Sequence, residues 1–322
     1  MNSFEWTEAK TVAEAVAQTG GGAVLKAGGI DLLDRMKEGL DAPSRLVNIR
    51  NVRELGGVRA EKDGGLWMGP LVTLAELDEH PVVRKKFTAL ADAAGHAATP
   101  QIRNVATLGG NLLQRPRCWY FRSEDFNCRK KGGSICFALE GENQYHAVFG
   151  NRVCPIVHPS ATATALVALG ARLQLTGAKG KREVLLEDFF LTPEEDIRRE
   201  NKLGDKELIA GVRLPPLAAG ARSVYLKQGE KESFDWPIAD VAVVLSCAGG
   251  KCERASIVLG AAAPVPMRSR ASEDALAGKT VNEESARAAA KAAMIGATPL
   301  TQNGYKLPIF EALVRRALLA AA

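Results

Sequence analysis

Apolar and polar positions over residues 4 to 48 alternate as strand, helix, strand, glycine turn, helix, strand, which predicts a small α/β unit. Thr11 and Glu14 predict a capping box ahead of AEAVAQ, and Gly20 to Gly22 predict that helix's end. AVLKAGG then runs from an apolar strand into glycines. IDLLDRMKEG continues as a helix with Leu32, Leu33 and Met36 on one side and Gly39 as its stop. A glycine pair therefore falls between a strand end and a helix start.

From 56 to about 215 the pattern predicts a second, larger α+β unit. LWMG reads as a strand, Thr73 with Glu76 as a capping box, and FTALADAAGHAA as an alanine-rich helix. Residues 100 to 160 are rich in Gly, Arg, Asn and Cys with little periodicity, and a stretch of that length argues for a functional loop. After PPLAAG, the strand-like SVYLKQG and VAVVLSC, the hairpin signal AGGK and the strand RASIVLGA lead into alanine-rich helices up to Ala322. A C-terminal sheet covered by helices is the simplest arrangement.

At 322 residues and 46% hydrophobic, the chain can bury a sizeable core in two or three compact units. Its net charge of +5 comes from 42 basic and 37 acidic residues without a dense basic stripe, which argues against a nucleic-acid partner. No apolar stretch is long enough to span a bilayer, and MNSFEWTEAK has neither a basic n-region nor an apolar h-region. The expected compartment is the cytoplasm, with co-export beside a signal-bearing partner as the alternative. Six cysteines are too few for a disulfide scaffold, but the grouping of four suggests a metal.

Lys26-Ala27-Gly28-Gly29-Ile30-Asp31-Leu32-Leu33 carries the first candidate chemistry. Glycines between a strand and a helix let backbone N–H groups approach a diphosphate, where the helix N-terminus adds partial positive charge. A cofactor with a pyrophosphate fits there, and so does a plain turn. QIRNVATLGGNL supplies a second pair, Gly109 and Gly110, flanked by Thr107 and Asn111. Their hydroxyl and amide can hydrogen-bond phosphate or ring edges, although both are also common turn residues.

AGGIDLL followed by IRNVATLGGNL is similar to the paired FAD-binding signatures of molybdenum hydroxylase flavin subunits, the group that includes xanthine dehydrogenase, carbon monoxide dehydrogenase and aldehyde oxidoreductases. YLKQGEKESFDWPIADVAV and ASIVLGAAAPVPMR resemble later landmarks of that family, so the likeness covers nearly the whole chain. It implies an α+β fold: a two-part PCMH-type FAD-binding domain over 1–55 and 56–217, then a C-terminal α/β-sandwich domain of the CO dehydrogenase flavoprotein type over 218–322. FAD would lie between the two parts. By motif match, residues 26 to 33 would bind the pyrophosphate, Thr107, Gly109, Gly110 and Asn111 would line the flavin and diphosphate, and Lys227 would reach the flavin side. Two positions depart from the family pattern. Ile30 stands where Ser or Thr is usual, and Ser160-Ala161 where Ser-Asp is frequent.

Cys118, Cys128, Cys136 and Cys154 are separated by nine, seven and seventeen residues. Four thiolates suit a cubane cluster, and Arg115, Arg117, Arg122, Arg129, Lys130 and Lys131 can offset their charge. The spacing matches neither ferredoxin runs nor the CxxC pairs of zinc ribbons, so spacing leaves zinc open. CWYFR, the later cysteines, GENQYHAVFGNRVC and HPS resemble the cysteine-bearing insertion, here about 115–158, of two flavin-subunit types: bacterial aldehyde oxidase and hydroxybenzoyl-CoA reductase. WYFR and HAVFG lean towards the aldehyde oxidase type. That resemblance implies a [4Fe-4S] cluster on the four cysteines. Cys247 and Cys252 read as opposed residues of a hairpin, and none of the four histidines shows a metal-type pairing.

The expected function is an oxidoreductase subunit without a substrate pocket of its own. The resemblance implies that substrate hydroxylation occurs on a molybdopterin-binding large subunit, and that a [2Fe-2S] small subunit passes electrons to this FAD in a three-subunit complex. Flavin suits that place because it couples one-electron and two-electron steps. A stand-alone FAD oxidase and a zinc-stabilised binding module are the alternatives.

Overall fold

The computed structural model describes residues 1–322. The N-terminal pattern becomes β1 (Glu5–Glu8), α1 (Val12–Gln18), β2 (Ala23–Lys26), α2 (Ile30–Lys37) and β3 (Arg45–Asn48). The strands are parallel in the order β1-β3-β2, as helical crossovers dictate. Thr11 caps α1 by accepting from the Glu14 N–H. The Glu14 carboxylate accepts from the Lys10 N–H instead of Thr11, so the expected capping box is only half made. Ala15, Ala23, Val47 and Leu55 form a small core that Leu208 of a distant strand completes.

The middle of the chain supplies β4 (Val58–Ala60), β5 (Leu66–Met68), α3 (Leu74–Glu79), α4 (Pro81–Lys86), α5 (Thr88–Gly95), α6 (Pro100–Arg103), α7 (Leu108–Leu112), α8 (Trp119–Arg122), α9 (Ala161–Ala168), β6 (Arg172–Gly177), β7 (Gly180–Leu185) and β8 (Glu207–Leu214). The strands form an antiparallel sheet, β4-β5-β8-β6-β7. Both halves of the Thr73–Glu76 capping box form. Between α5 and α9 only short helices interrupt irregular chain, in keeping with the functional loop expected there. Every residue of α9, ATATALVA, is buried. A helix apolar on all sides belongs inside, and α9 packs between α5 and the C-terminal sheet.

That sheet contains β9 (Arg222–Gln228), β10 (Ala239–Ala248), β11 (Lys251–Gly260) and β12 (Met267–Arg268), antiparallel in the order β12-β11-β10-β9. α10 (Arg270–Leu276), α11 (Glu283–Ala293) and α12 (Lys306–Ala321) follow. The AGGK signal is a tight hairpin in which Gly249 and Gly250 take φ values of 57° and 78°, as a type I′ turn requires. Cys247 and Cys252 face each other across it as free thiols. Side chains alternate along β10: Val241, Val243 and Leu245 pack with Phe310 and Leu313 of α12, while Ala242 joins Val258 and Tyr225 in the core that contains α9. Both faces of the sheet are therefore covered, which explains the unbroken apolar run of VAVVL.

Lys306 opens α12 inside the protein. Its Nζ donates to the carbonyls of Ala261 at 2.7 Å and His146 at 3.0 Å, tying the cysteine-bearing stretch to the C-terminal helices. Burial pushes the ammonium down to about 7, against the pull of the Asp240 carboxylate. Lys306→Met strands these acceptors and is expected to cost about 2–4 kcal/mol, since each buried group left without a partner costs roughly 1–3 kcal/mol. Thermal unfolding measures this, with Lys291→Met on an exposed helix position as the unchanged control.

Candidate functional site

A cleft of about 560 Å³ opens between the β2–α2 turn, the α6–α7 segment and the chain joining β9 to β10. Residues 26 to 32 line one side, Thr107, Gly109, Gly110 and Asn111 the other, and Lys227 reaches in from β9. Both glycine pairs thus share one cavity. Leu33 alone of the expected residues does not line it. It packs instead with Leu32, Met36 and Leu46, its Cδ1 against Gly29, because the α2 periodicity turns it inwards.

The glycines are required by space. A Cβ on Gly28 would lie 2.2 Å from the carbonyl oxygen of Val105, so the two segments touch backbone to backbone. Gly29 caps α2 in the left-handed region with φ of 82°, and a Cβ on Gly109 would lie 2.8 Å from Pro70. The first N–H groups of α2 have no intrahelical acceptors, and they belong to residues that border the cleft. Ile30 offers no hydroxyl there, so backbone donors must serve. Ala98 also borders the cleft and holds φ of 54°, an uncommon strain for a residue with a Cβ.

Polar side chains around the cleft are aimed by their neighbours. Asn111 Oδ1 accepts from the Ser160 and Thr162 hydroxyls, each at 2.6 Å, which leaves its Nδ2 as the donor available to a ligand. Thr107 caps α7 by accepting from the Gly110 N–H at 3.2 Å, so its hydroxyl is shared with its own helix. Ala161 lines the cleft at the departure noted in the sequence and supplies no carboxylate. Lys227 Nζ donates to the His96 carbonyl at 3.1 Å, and burial lowers its pKa from the ordinary lysine value.

Asp31 borders the cleft with its carboxylate already paired inside the protein. Its carboxylate takes Arg35 at 2.6 Å, Arg117 at 2.8 Å, Arg122 at 2.7 Å and the Arg115 N–H at 3.0 Å. Burial works against its charge, but Arg117 and Arg35 hold the carboxyl below its ordinary value. Phe234, Asp235, Trp236 and Pro237, part of a stretch noted as a family landmark but not among the expected site residues, form a further wall of the cleft. Trp236 stacks on the Arg117 guanidinium, 4.6 Å from its ring centre. An aromatic pair in the polar loop GEKESFDWP was the available signal.

Cys118, Cys128, Cys136 and Cys154 line one small enclosed cavity with Tyr120, Phe137 and His146. Cys118 and Cys128 stand just before short helical turns, at their N-caps, and Arg129 Nη1 donates to the Val153 carbonyl, tying the second cysteine's turn to the fourth. Burial pushes the Cys118 thiol up to about 11. The neighbouring Cys154 thiol brings Cys136 down to about 6, and Cys136 in turn raises Cys154. His146 Nε2 lies 3.2 Å from the Cys118 sulfur, and burial holds the ring neutral with a pKa of about 4. No three His, Cys, Asp or Glu side chains are arranged around a single metal ion.

A parallel three-stranded unit and an antiparallel sheet flank one cleft lined by two glycine pairs, a site suited to a dinucleotide. Residues 2–217 match the FAD-binding domain of molybdopterin dehydrogenases, and residues 224–321 match the CO dehydrogenase flavoprotein C-terminal domain. The chain belongs to the FAD-binding subunit family of the molybdenum hydroxylases, a family of oxidoreductases. It is 34% identical to the aldehyde oxidoreductase FAD-binding subunit PaoB of Escherichia coli, over 95% of this chain and 94% of that one. It is 30% identical to the carbon monoxide dehydrogenase medium chain of Hydrogenophaga pseudoflava, over 99% and 96%. A solved structure of carbon monoxide dehydrogenase from Hydrogenophaga pseudoflava superimposes with a TM-score of 0.78 at 31% identity, covering 99% of this chain and 97% of that one. No helix is long and apolar enough to cross a membrane.

Gly28→Ala is expected to push the second cradle away from the first. Overpacking of this kind costs about 1–3 kcal/mol, which corresponds to roughly 5- to 150-fold weaker FAD binding if it falls on the bound state. Quenching of flavin fluorescence on titration measures it, with Gly56→Ala, where a Cβ meets nothing nearer than 3.6 Å, as the control.

Proposed function

We propose that the chain is the flavin relay of a molybdenum hydroxylase complex, with FAD lying across the cleft between residues 1–55 and 56–217 and bordered by the domain over 218–322. The observation that carries this reading is the convergence of both glycine pairs on one cavity. Lys26 to Leu32 would hold the diphosphate, chiefly through backbone N–H groups. Gly109, Gly110 and Asn111 would hold the cofactor from the opposite wall, and Lys227 would face its ring end. Leu33 and the Asp31 carboxylate act behind this surface. The bound flavin supplies exchange between one-electron and two-electron carriers. Electrons would come from a [2Fe-2S] small subunit that serves a molybdopterin-binding large subunit, and would leave for a terminal acceptor.

The cysteine cavity is read as a [4Fe-4S] site. A zinc site gathers four ligands around one ion, whereas a cubane takes one thiolate per iron at four separate corners. Four thiols around a common cavity supply the number of donors that a cubane takes. The donor set and the nearby Arg129 and Lys130 fit a cluster chemically. The likeness to the aldehyde oxidoreductase subunit favours an aldehyde-oxidising complex.

One visible spectrum of the purified chain, with flavin, iron, sulfide and zinc analysis, tests the reading. It predicts one FAD per chain with about four iron and four sulfide, and no turnover of aldehydes with oxygen in the absence of partners. Zinc without flavin would establish a binding module, and aldehyde oxidation by the isolated chain a stand-alone oxidase. Cys136→Ser is expected to remove iron while FAD stays bound, because Cys136 lies outside the flavin cleft.

A further inference from the structure

α2 and its C-cap present three carboxylates, Asp31, Asp34 and Glu38, at spacings that share one helix face. All three face arginines of the cysteine-bearing stretch: Arg117 reaches Asp31 at 2.8 Å and Asp34 at 3.5 Å, and Arg122 reaches Asp31 at 2.7 Å and Glu38 at 3.1 Å. Asp31 is the hub. Arg35, one turn on, fixes its carboxylate at 2.6 Å, and the backbone N–H of Arg115 donates to it at 3.0 Å. Arg122 in turn donates to the carbonyls of Pro116 at 2.8 Å and Arg115 at 3.1 Å, closing the loop that carries Cys118.

Two consequences follow from where Asp31 sits. It is two residues beyond Gly29, in the first turn of the helix whose N-terminus borders the cleft, so any shift of the cradle moves the carboxylate. Its partners Arg117 and Arg122 bracket Cys118 and the four-residue helix α8, so any shift of the carboxylate moves the first cysteine. Arg117 also stacks on Trp236, part of the opposite cleft wall. Charge-assisted pairs to guanidinium are among the strongest and most directional polar contacts, and the Asp31–Arg122 pair is largely shielded: the Asp31 side chain is 11% exposed and that of Arg122 9%.

We propose that Asp31 is a positioning residue that couples the flavin cradle to the cysteine-bearing segment, so that FAD binding and the ordering of residues 115–122 stabilise each other. This rests on the reading that the cleft holds FAD. Such coupling is reciprocal by linkage and falls typically between about 5- and 150-fold. It makes the flavin cradle and the loop that carries Cys118 one cooperative unit, joined through Asp31 and its arginines.

Hydrogen–deuterium exchange of the full-length chain, with and without FAD, tests the proposal. FAD is expected to slow exchange at 26–33 and 104–111, and to slow it about 10-fold at 115–122 as well. Asp31→Asn is expected to keep the protection at 104–111 and lose it at 115–122. Arg117→Gln, which breaks the contact from the other side, is expected to do the same. Asp41→Asn removes a partner of Arg35 that does not touch the cysteine-bearing segment, and is expected to keep both. Equal FAD protection of 115–122 in the native chain and in both coupling variants overturns the proposal, as does no protection there in the native chain. A chain that binds no FAD, seen as unaltered flavin fluorescence, overturns the proposed function and this inference together.

Discussion

The peptide backbone at Gly28 lies against the carbonyl of Val105 with no room for a Cβ, and that contact decides where the rest of the site can be. It brings the turn after β2 and the segment before α7 into register, so the N-terminus of α2 and the glycines of α7 border one cavity. A side chain of any size at residue 28 would hold the two apart. The cleft exists because residue 28 carries no side chain where it meets the backbone of Val105, a residue distant in sequence.

Around that crossing the protein supplies rigidity from its core. α9, buried on every side, joins α5 and α7 to the C-terminal sheet, and its preceding residue Ser160 fixes Asn111 from behind. Lys306 does the same for the cysteine-bearing stretch, tying residue 146 to the start of α12. The irregular hundred-and-twenties to hundred-and-fifties are therefore irregular only in secondary structure. Their backbone and side-chain contacts run to α2, to Glu200 and to the C-terminal helices.

Much of this was legible in the residues. Period-2 and period-3.6 patterns gave the first five elements, the Thr73 capping box and the Gly249–Gly250 hairpin, because each is a local decision of a few residues. The two glycine cradles were visible as motifs, and their likeness to a family's signatures pointed to the cofactor. What the residues did not show was long-range direction. Leu33 reads as part of a binding motif, but helix periodicity turns it into the core. Asp31 reads as part of a cofactor motif and pairs locally with Arg35, but no local pattern announces that Arg117 and Arg122 of a distant segment converge on the same carboxylate. The Phe234–Trp236 wall was hidden for the same reason.

The account stands on a single flavin dinucleotide held by both cradles at once. A structure of the chain determined with FAD bound measures this most directly. The account predicts a diphosphate lying between residues 27–31 and residues 107–111, in contact with backbone from each. A diphosphate held by one segment alone, or a flavin bound outside that cleft, would contradict it.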